Sequence, residues 1–183
     1  MTLAGKATIV SNLVVLGALG AALAGVHFGL WLSYELHKIL HILGAVLVVG
    51  NLSVGPLWIV LAWRTRDPKL LGWAAKTIAW ADLVFTLPGI HLLLWNGLAL
   101  ASVFGGVNAQ PWLFQTVVML VVAAIFAPTV VLYYQEKLIE KAEALAPRDE
   151  VNRWLFRWSL WGSVVMLPFG AAFFTMVAKH GLW

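Results

Sequence analysis

Residues 39–63 read ILHILGAVLVVGNLSVGPLWIVLAW, and this stretch decides the fold class. It contains no Asp, Glu, Lys or Arg, and it is longer than the ~20 helical residues that cross the hydrocarbon core of a bilayer. Its apolar residues do not alternate with polar ones, as they would in a strand of a membrane barrel. The stretch therefore predicts a transmembrane helix.

Four similar apolar runs occur elsewhere in the chain. Together with the stretch at residues 39–63, they give five predicted spans, which are about Ala7–Leu32, Ile39–Trp63, Thr77–Val103, Pro111–Tyr134 and Trp158–Ala178. The third span has two alternative outer ends, because Trp95 is a suitable interface residue but the apolar sequence continues to Val103. We expect an all-α, polytopic bundle of five transmembrane helices that forms a single membrane domain over residues 1–183.

The composition of the chain excludes several classes of protein. Of its 183 residues, 62% are hydrophobic and 11% are charged, so a water-soluble enzyme or a disordered chain is excluded. The sequence has no cysteine, which excludes disulfide scaffolds, cysteine-ligated metals and thiol nucleophiles. The composition does not by itself explain why a chain with so few polar residues has eleven Trp and five His.

The basic residues predict the orientation. If the five spans alternate, only Lys38 and Lys179 of the twelve Lys and Arg fall on one side. The others fall on the opposite side: Lys6, Arg64, Arg66, Lys69, Lys76, Lys137, Lys141, Arg148, Arg153 and Arg157. Because cytoplasmic loops carry the excess of basic residues, we expect a cytoplasmic N-terminus and a periplasmic C-terminus in a bacterial inner membrane. The net charge of +4 is then a topology signal and does not indicate nucleic-acid binding.

The tryptophans agree with this orientation, since Trp is enriched at both interfaces of a membrane. Trp63, Trp73, Trp154 and Trp158 mark the predicted inner interface, and Trp31, Trp112 and Trp183 mark the outer one. Four others are not explained by anchoring and are candidates to wall a porphyrin or quinone cavity: Trp58, Trp80, Trp95 and Trp161.

Two histidines lie four residues apart near the outer end of the second span. His37 and His41 project from one helix face, which Gly44, Asn51 and Gly55 continue. This stripe leaves room and polar contacts for a bulky, flat ligand. It also fits a plain helix–helix contact with hydrogen-bonded histidines, and the spacing does not separate the two interpretations.

Histidines at matching depths suggest a cofactor. His41 lies ~9 Å inside the outer end of its span, and His27 has a similar depth in the first span. His91 matches them if its helix ends near Trp95, and it lies ~18 Å deep if the helix continues to Val103. Two His on neighbouring helices suit the axial ligation of a b-type haem, with His41 and His91 as the first choice and His27 next. The same residues with His37 could instead hold copper, for which imidazole is a suitable ligand.

Asp82 is the one carboxylate expected within the hydrocarbon depth. A buried ionisable residue usually has a partner or a function. We expect a structural pairing, either with a cytoplasmic-side cation such as Arg153 or Arg157 or with a backbone break, and a proton relay is the alternative.

Short motifs in a fixed order carry a family resemblance. They are YELHKILHILG (34–44), DLVFTLPG (82–89), NGLAL (96–100), Pro111-Trp112 and FTMV (174–177). In this order the motifs resemble a CopD-like membrane family, in a branch of predicted bacterial integral-membrane proteins without an assigned function. The resemblance covers about residues 34–179, so residues 1–33 form an additional helix before a four-helix core.

The resemblance implies haem or porphyrin handling. Related branches include membrane protoporphyrinogen oxidases and the membrane domain of a cytochrome-linked urate oxidase, and their first-helix His matches His41. The protoporphyrinogen oxidases carry a Lys early in the helix that matches the fourth span. This chain has Gln115 in that region and no basic residue between Lys76 and Lys137, a departure that argues against porphyrinogen oxidation.

These observations together predict a b-type haem protein of the inner membrane. His41, His91, His27, His37 and Gly44 are the candidate cofactor-binding residues, with His41 and His91 on the haem iron. We expect it to transfer electrons as a component of a membrane oxidoreductase, with a cytochrome or quinone and further subunits or copies as partners. The alternatives are a copper-binding or metal-transport protein and a cofactor-free accessory subunit.

Overall fold

The computed structural model describes residues 1–182, and within them the chain is all-helical with no strand. Trp183, predicted to mark the outer interface, lies outside the described residues. The helices are α1 (Leu3–Leu23), α2 (Tyr34–Arg64), α3 (Pro68–Ala81), α4 (Leu87–Ala101), α5 (Pro111–Phe126), α6 (Leu132–Glu143) and α7 (Arg148–Ala178). Two π-helical segments, π1 (Asp82–Thr86) and π2 (Ala127–Val131), join α3 to α4 and α5 to α6.

Five helical stretches are long and apolar enough to cross a membrane, which confirms the predicted number of spans. They are Leu3–Leu23, Tyr34–Arg64, Pro68–Phe104, Pro111–Glu143 and Arg148–Ala178. We call the end with the turns at residues 65–67 and 144–147 the basic end, and the end with the connections at residues 24–33 and 102–110 the far end.

The predicted end of the first span at Leu32 was wrong, whereas the predicted outer end of the third span at Val103 was confirmed to within one residue. The first span ends at Leu23, because Gly25 takes a left-handed φ of 90° and the chain leaves the helix there. Residues 24–33 consequently form a connection rather than the end of a helix. The third span continues past the alternative end at Trp95, since α4 extends to Ala101 and a 3₁₀ turn carries the chain to Phe104.

The helices pack in antiparallel pairs, α2 against α4, α5 against α7 and α3 against α6. The α2–α4 pair crosses at Gly44, where an added Cβ would lie 2.5 Å from the backbone nitrogen of Leu93 and 2.7 Å from the carbonyl oxygen of Gly89. Only a residue without a Cβ allows this approach. The first helix packs mainly against α5 and α4 and completes the apolar core at the far end.

The two π segments lie at similar depths in their spans. Fourteen residues of α3 precede π1 and twelve residues of α6 follow π2, so the segments lie ~21 Å and ~18 Å from the basic ends of their helices. Pro88 follows π1 by two residues and Pro128 lies within π2. Proline removes a backbone donor from the helix ladder, and single π-helical turns are frequent at functional sites.

Candidate functional site

A groove of about 790 Å³ lies between α2, α4, α5 and α7. Its walls are mostly apolar and aromatic, with Trp112 from α5 and Phe169 and Phe173 from α7. Ligand and cofactor pockets have volumes of about 300–1,000 Å³ and a few polar groups on an apolar lining. The groove therefore has the size and character of a site for a large apolar or amphiphilic molecule.

His41 is the one histidine among the residues that line the groove. Its Nδ1 donates a hydrogen bond of 2.7 Å to the backbone carbonyl of Leu93, which leaves Nε2 as the ring nitrogen that can accept. Nε2 makes no hydrogen bond with any residue in the range 1–182. The ring lies against Gly97, where an added Cβ would be 2.8 Å from its Cε1. Histidines that bind metals usually donate their other N–H to a carbonyl or carboxylate in this way.

Two lysines and a tyrosine lie at the far-end opening of the groove. Lys38 and Tyr34 come from the first turns of α2, and Lys179 follows the last residue of α7. The ammonium group of Lys179 lies 5.4 Å from the centre of the Phe104 ring, and neither lysine has an acidic partner among the described residues. This opening carries positive charge above an apolar interior, which favours an amphiphilic ligand with an anionic end.

His37 is fully buried and is bonded through both ring nitrogens. Its Nδ1 lies 2.8 Å from Asn96 Oδ1, and its Nε2 accepts from the backbone N–H groups of Trp31 and Leu32. The Trp31 indole packs edge-on against its ring, with the centroids 4.5 Å apart. His37 thus fastens the 24–33 connection to α4 and has no ring nitrogen left for a metal in this arrangement.

The structure places His91 and His27 away from the groove. His91 faces α1, with its Nε2 2.8 Å from the hydroxyl oxygen of Ser11, so it does not share a cavity with His41. His27 is exposed in the 24–33 connection and lies against Gly106. Over residues 1–182, no three His, Asp or Glu side chains come together as a metal-binding group.

Residues 35–180 match a family model described as "Predicted integral membrane protein (DUF2269)". The chain belongs to this family. No curated protein and no solved structure matches it. The family description agrees with the five apolar helices, and it assigns no cofactor, reaction or partner.

Several residues predicted to surround a cofactor have other neighbours in this DUF2269 protein. Gly44 meets the backbone of α4, so the space beside it is filled by protein. Trp95 packs against Phe28, and Trp161 stacks on Phe126 with the rings 10° from parallel. Trp58 and Trp80 are exposed on apolar helix surfaces. None of these four tryptophans is among the residues that line the groove.

Several groove residues were not predicted from the sequence, for two different reasons. Lys38 and Lys179 were noted only as exceptions to the charge asymmetry, although a lone cation on the sparsely charged side is itself a usable signal. Trp112 was interpreted as an interface anchor, and nothing in the apolar sequence of α7 distinguishes Phe169 and Phe173 as groove residues.

Asp82 has polar neighbours and makes no ion pair with any residue from 1 to 182. Its Oδ1 accepts hydrogen bonds of 2.9 Å from Asn51 Nδ2 and from the Thr86 hydroxyl. The expected pairing with Arg153 or Arg157 was wrong. The Arg157 guanidinium lies over Trp154 at 5.3 Å, and Arg153 is near Glu150. The reason is distance, because the fourteen residues of α3 separate Asp82 from the basic end, where these arginines lie.

Proposed function

We propose that this protein binds b-type haem in the groove, with Nε2 of His41 as an axial ligand of the iron. The observation that carries the proposal is the setting of His41, whose Nδ1 donates to the Leu93 carbonyl while its ring lines a cofactor-sized cavity. A hydrogen bond of this kind fixes the tautomer that a metal requires. An iron porphyrin bound there would supply one-electron chemistry.

The charges at the far-end opening support the same ligand. A haem carries two propionate groups at one edge and an apolar macrocycle elsewhere. Lys38 and Lys179 offer two cations at the opening, and the apolar side chains of α2, α5 and α7 offer the interior. Lysine acts on such groups as a point charge.

The predicted ligand pair changes in this proposal. His91 is bonded to Ser11 on another face of α4, so we expect one histidine ligand on the iron rather than the bis-histidine pair with His91. His27 and His37 are likewise not proposed as iron ligands. His27 is exposed, and both ring nitrogens of His37 are hydrogen-bonded. The copper alternative has no three-residue site in the part of the chain described.

We further propose that the groove opens towards the periplasmic face of a bacterial inner membrane. The basis is the charge asymmetry, because the groove lies at the far end, away from most of the lysines and arginines. A haem at this depth would exchange electrons with a cytochrome on that side or with a quinone in the bilayer, as a component of a membrane redox complex.

The test is a haem titration of the purified protein in detergent, followed by its Soret absorbance in the oxidised and reduced states. We expect saturable binding of one haem per chain, with the band lost or strongly shifted in His41→Ala. His91→Ala is the matched control, because it removes another histidine from a span without touching the groove.

Three outcomes would reject the proposal. They are the absence of a Soret band, a spectrum that survives His41→Ala, and stoichiometric copper in protein that takes up no haem. Protein that is stable only within a larger complex and carries no chromophore would favour the accessory-subunit interpretation instead.

A further inference from the structure

A second polar site lies where the π1 segment interrupts the third span. Asp82 begins this segment, and Thr86 ends it one turn later. Asn51 of α2 bridges the two, because its Nδ2 lies 2.9 Å from Asp82 Oδ1 and 2.8 Å from the Thr86 hydroxyl. The groove does not include these residues, so the cluster is separate from the proposed haem site.

Gln135 adds an independent observation. Its side chain faces the Asp82 carboxylate from α6 and is only 6% exposed. Its buried Nε2 has no hydrogen-bond partner among the described residues. Because an unpaired buried donor is costly, its position beside the Asp82 carboxylate indicates an interaction between the two groups, either directly or through one water molecule.

No charged group within residues 1–182 pairs with Asp82. The elements packed against Asp82 carry other titratable groups, which include Lys6 of α1, His41 and Arg64 of α2, Lys76 of α3, His91 of α4, and Tyr134 and Glu136 beside Gln135 on α6. None of them pairs with Asp82: Lys76 pairs with Glu143, Glu136 accepts from Thr2, and His91 bonds to Ser11. An ionised carboxylate at this depth without a cation is costly, and such groups take up a proton instead.

The neighbours of Asp82 suit both forms of the carboxyl group. Amide and hydroxyl groups can donate to a carboxylate and accept from a carboxylic acid. In the structure, Asn51 and Thr86 direct hydrogens and not oxygens at Oδ1. This arrangement favours proton exchange over binding of a metal cation, which would need several oxygens directed at it.

We propose that Asp82 is a proton-binding site in the middle of the membrane domain. A proton from water binds a carboxylate oxygen to give the neutral acid, and it returns to water when the acid ionises. Asn51, Thr86 and Gln135 hold the carboxyl group in both states, and the π1 segment brings Asp82 and Thr86 onto the same side of the helix.

Infrared difference spectroscopy can test this proposal directly. The full chain would be reconstituted in liposomes with ¹³C-labelled aspartate carboxyl groups and titrated from neutral pH to about pH 5, where an aspartate in water is still mostly ionised. The sequence has three aspartates, and Asp67 and Asp149 are exposed outside the apolar core. We expect a labelled carboxylic-acid band, equivalent to one of the three, that appears reversibly on acidification, is lost in Asp82→Asn and is retained in Asp67→Asn and Asp149→Asn.

A second variant keeps the test valid if Asp82→Asn fails to fold. Thr86→Val retains the carboxyl group but removes a donor, so we expect it to shift the midpoint of the titration. Ser53→Ala is its control, because the Ser53 hydroxyl bonds only to the Val49 carbonyl of its own helix and should leave the midpoint unchanged.

The proposal fails if the band persists in Asp82→Asn, or if it is absent or constant over the whole pH range. It also fails if Thr86→Val and Ser53→Ala behave alike. Loss of the band on adding Na⁺ at constant pH would show a cation site instead. The result does not depend on haem, so failure of the haem proposal would leave this one standing.

Discussion

Gly97→Ala is predicted to weaken haem binding without disturbing the helix that carries it. The added Cβ would lie 2.8 Å from Cε1 and 3.0 Å from Nδ1 of His41. Carbon atoms in ordinary contact are about 3.5–4.0 Å apart, so the ring must move by roughly 0.7 Å or more. The bond from Nδ1 to the Leu93 carbonyl is 2.7 Å long, and a displacement of that size brings it close to the limit of a hydrogen bond.

The expected loss of affinity follows from the role of that hydrogen bond. Removing a group that orients a metal ligand typically costs about 10–100-fold in affinity. This corresponds to about 1.4–2.8 kcal/mol of binding free energy. Alanine is also a better helix former than glycine by up to about 1 kcal/mol, so we expect no loss of folding stability in α4 from the backbone itself.

The assay is the dissociation constant for haem, obtained from the Soret absorbance of the purified variant. Gly50→Ala is the matched control, because Gly50 also lines the groove on a helix but an added Cβ there has no neighbour within 4 Å. Equal affinities for Gly97→Ala and the wild type, or equal losses for both variants, would refute the reasoning about His41.

Three further predictions concern the helix contacts and the other histidines. His91→Ala should leave the Soret maximum of haem-loaded protein unchanged, because its ring bonds to Ser11 away from the groove; a shifted maximum would restore it as a ligand. His37→Ala should lower the free energy of unfolding by about 1–3 kcal/mol for each buried partner it leaves unpaired, and a denaturant titration in detergent measures this. Gly44→Ala should destabilise the protein by about 1–3 kcal/mol through overpacking against α4, whereas Gly50→Ala should not; equal unfolding midpoints would contradict the proposed helix crossing.

The sequence was sufficient to predict the spans because their number depends only on length and polarity. It was not sufficient to place the end of α1. The apolar residues continue from Leu23 through Phe28 to Leu32, and what ends the helix is the left-handed backbone at Gly25. The π segments could not be predicted either, because nothing in the composition of Asp82–Thr86 distinguishes a π-helical turn from an α-helical one.

The candidate site was predictable only in part, and the two histidines of α2 show why. A spacing of four correctly predicts that His37 and His41 face the same way, and both do lie against α4. What separates them is the identity of the α4 atoms they meet. His37 meets a side chain, Asn96, while His41 meets the backbone carbonyl of Leu93, a partner that every residue possesses and that carries no sequence signal.

The polar stripe on α2 therefore serves as a helix interface along most of its length. From the far end to the basic end, its five members meet residues of descending number on the third span. His37 meets Asn96, His41 meets Leu93, Gly44 meets Gly89, Asn51 meets Asp82 and Gly55 meets Ile78. This order is expected for two antiparallel helices in continuous register. It supports the interpretation of the stripe as a helix–helix contact.

The same register relates the two proposed sites. His41 and Asn51 are ten residues apart on α2, or ~15 Å along the helix axis, so the groove histidine and the Asp82 cluster do not touch. Both nevertheless take their geometry from one helix pair, whose spacing is set where Gly44 and Gly89 meet. A substitution within either site should therefore affect that site alone, whereas one that separates α2 from α4 should disturb the bond from His41 to Leu93 and the bond from Asn51 to Asp82 together.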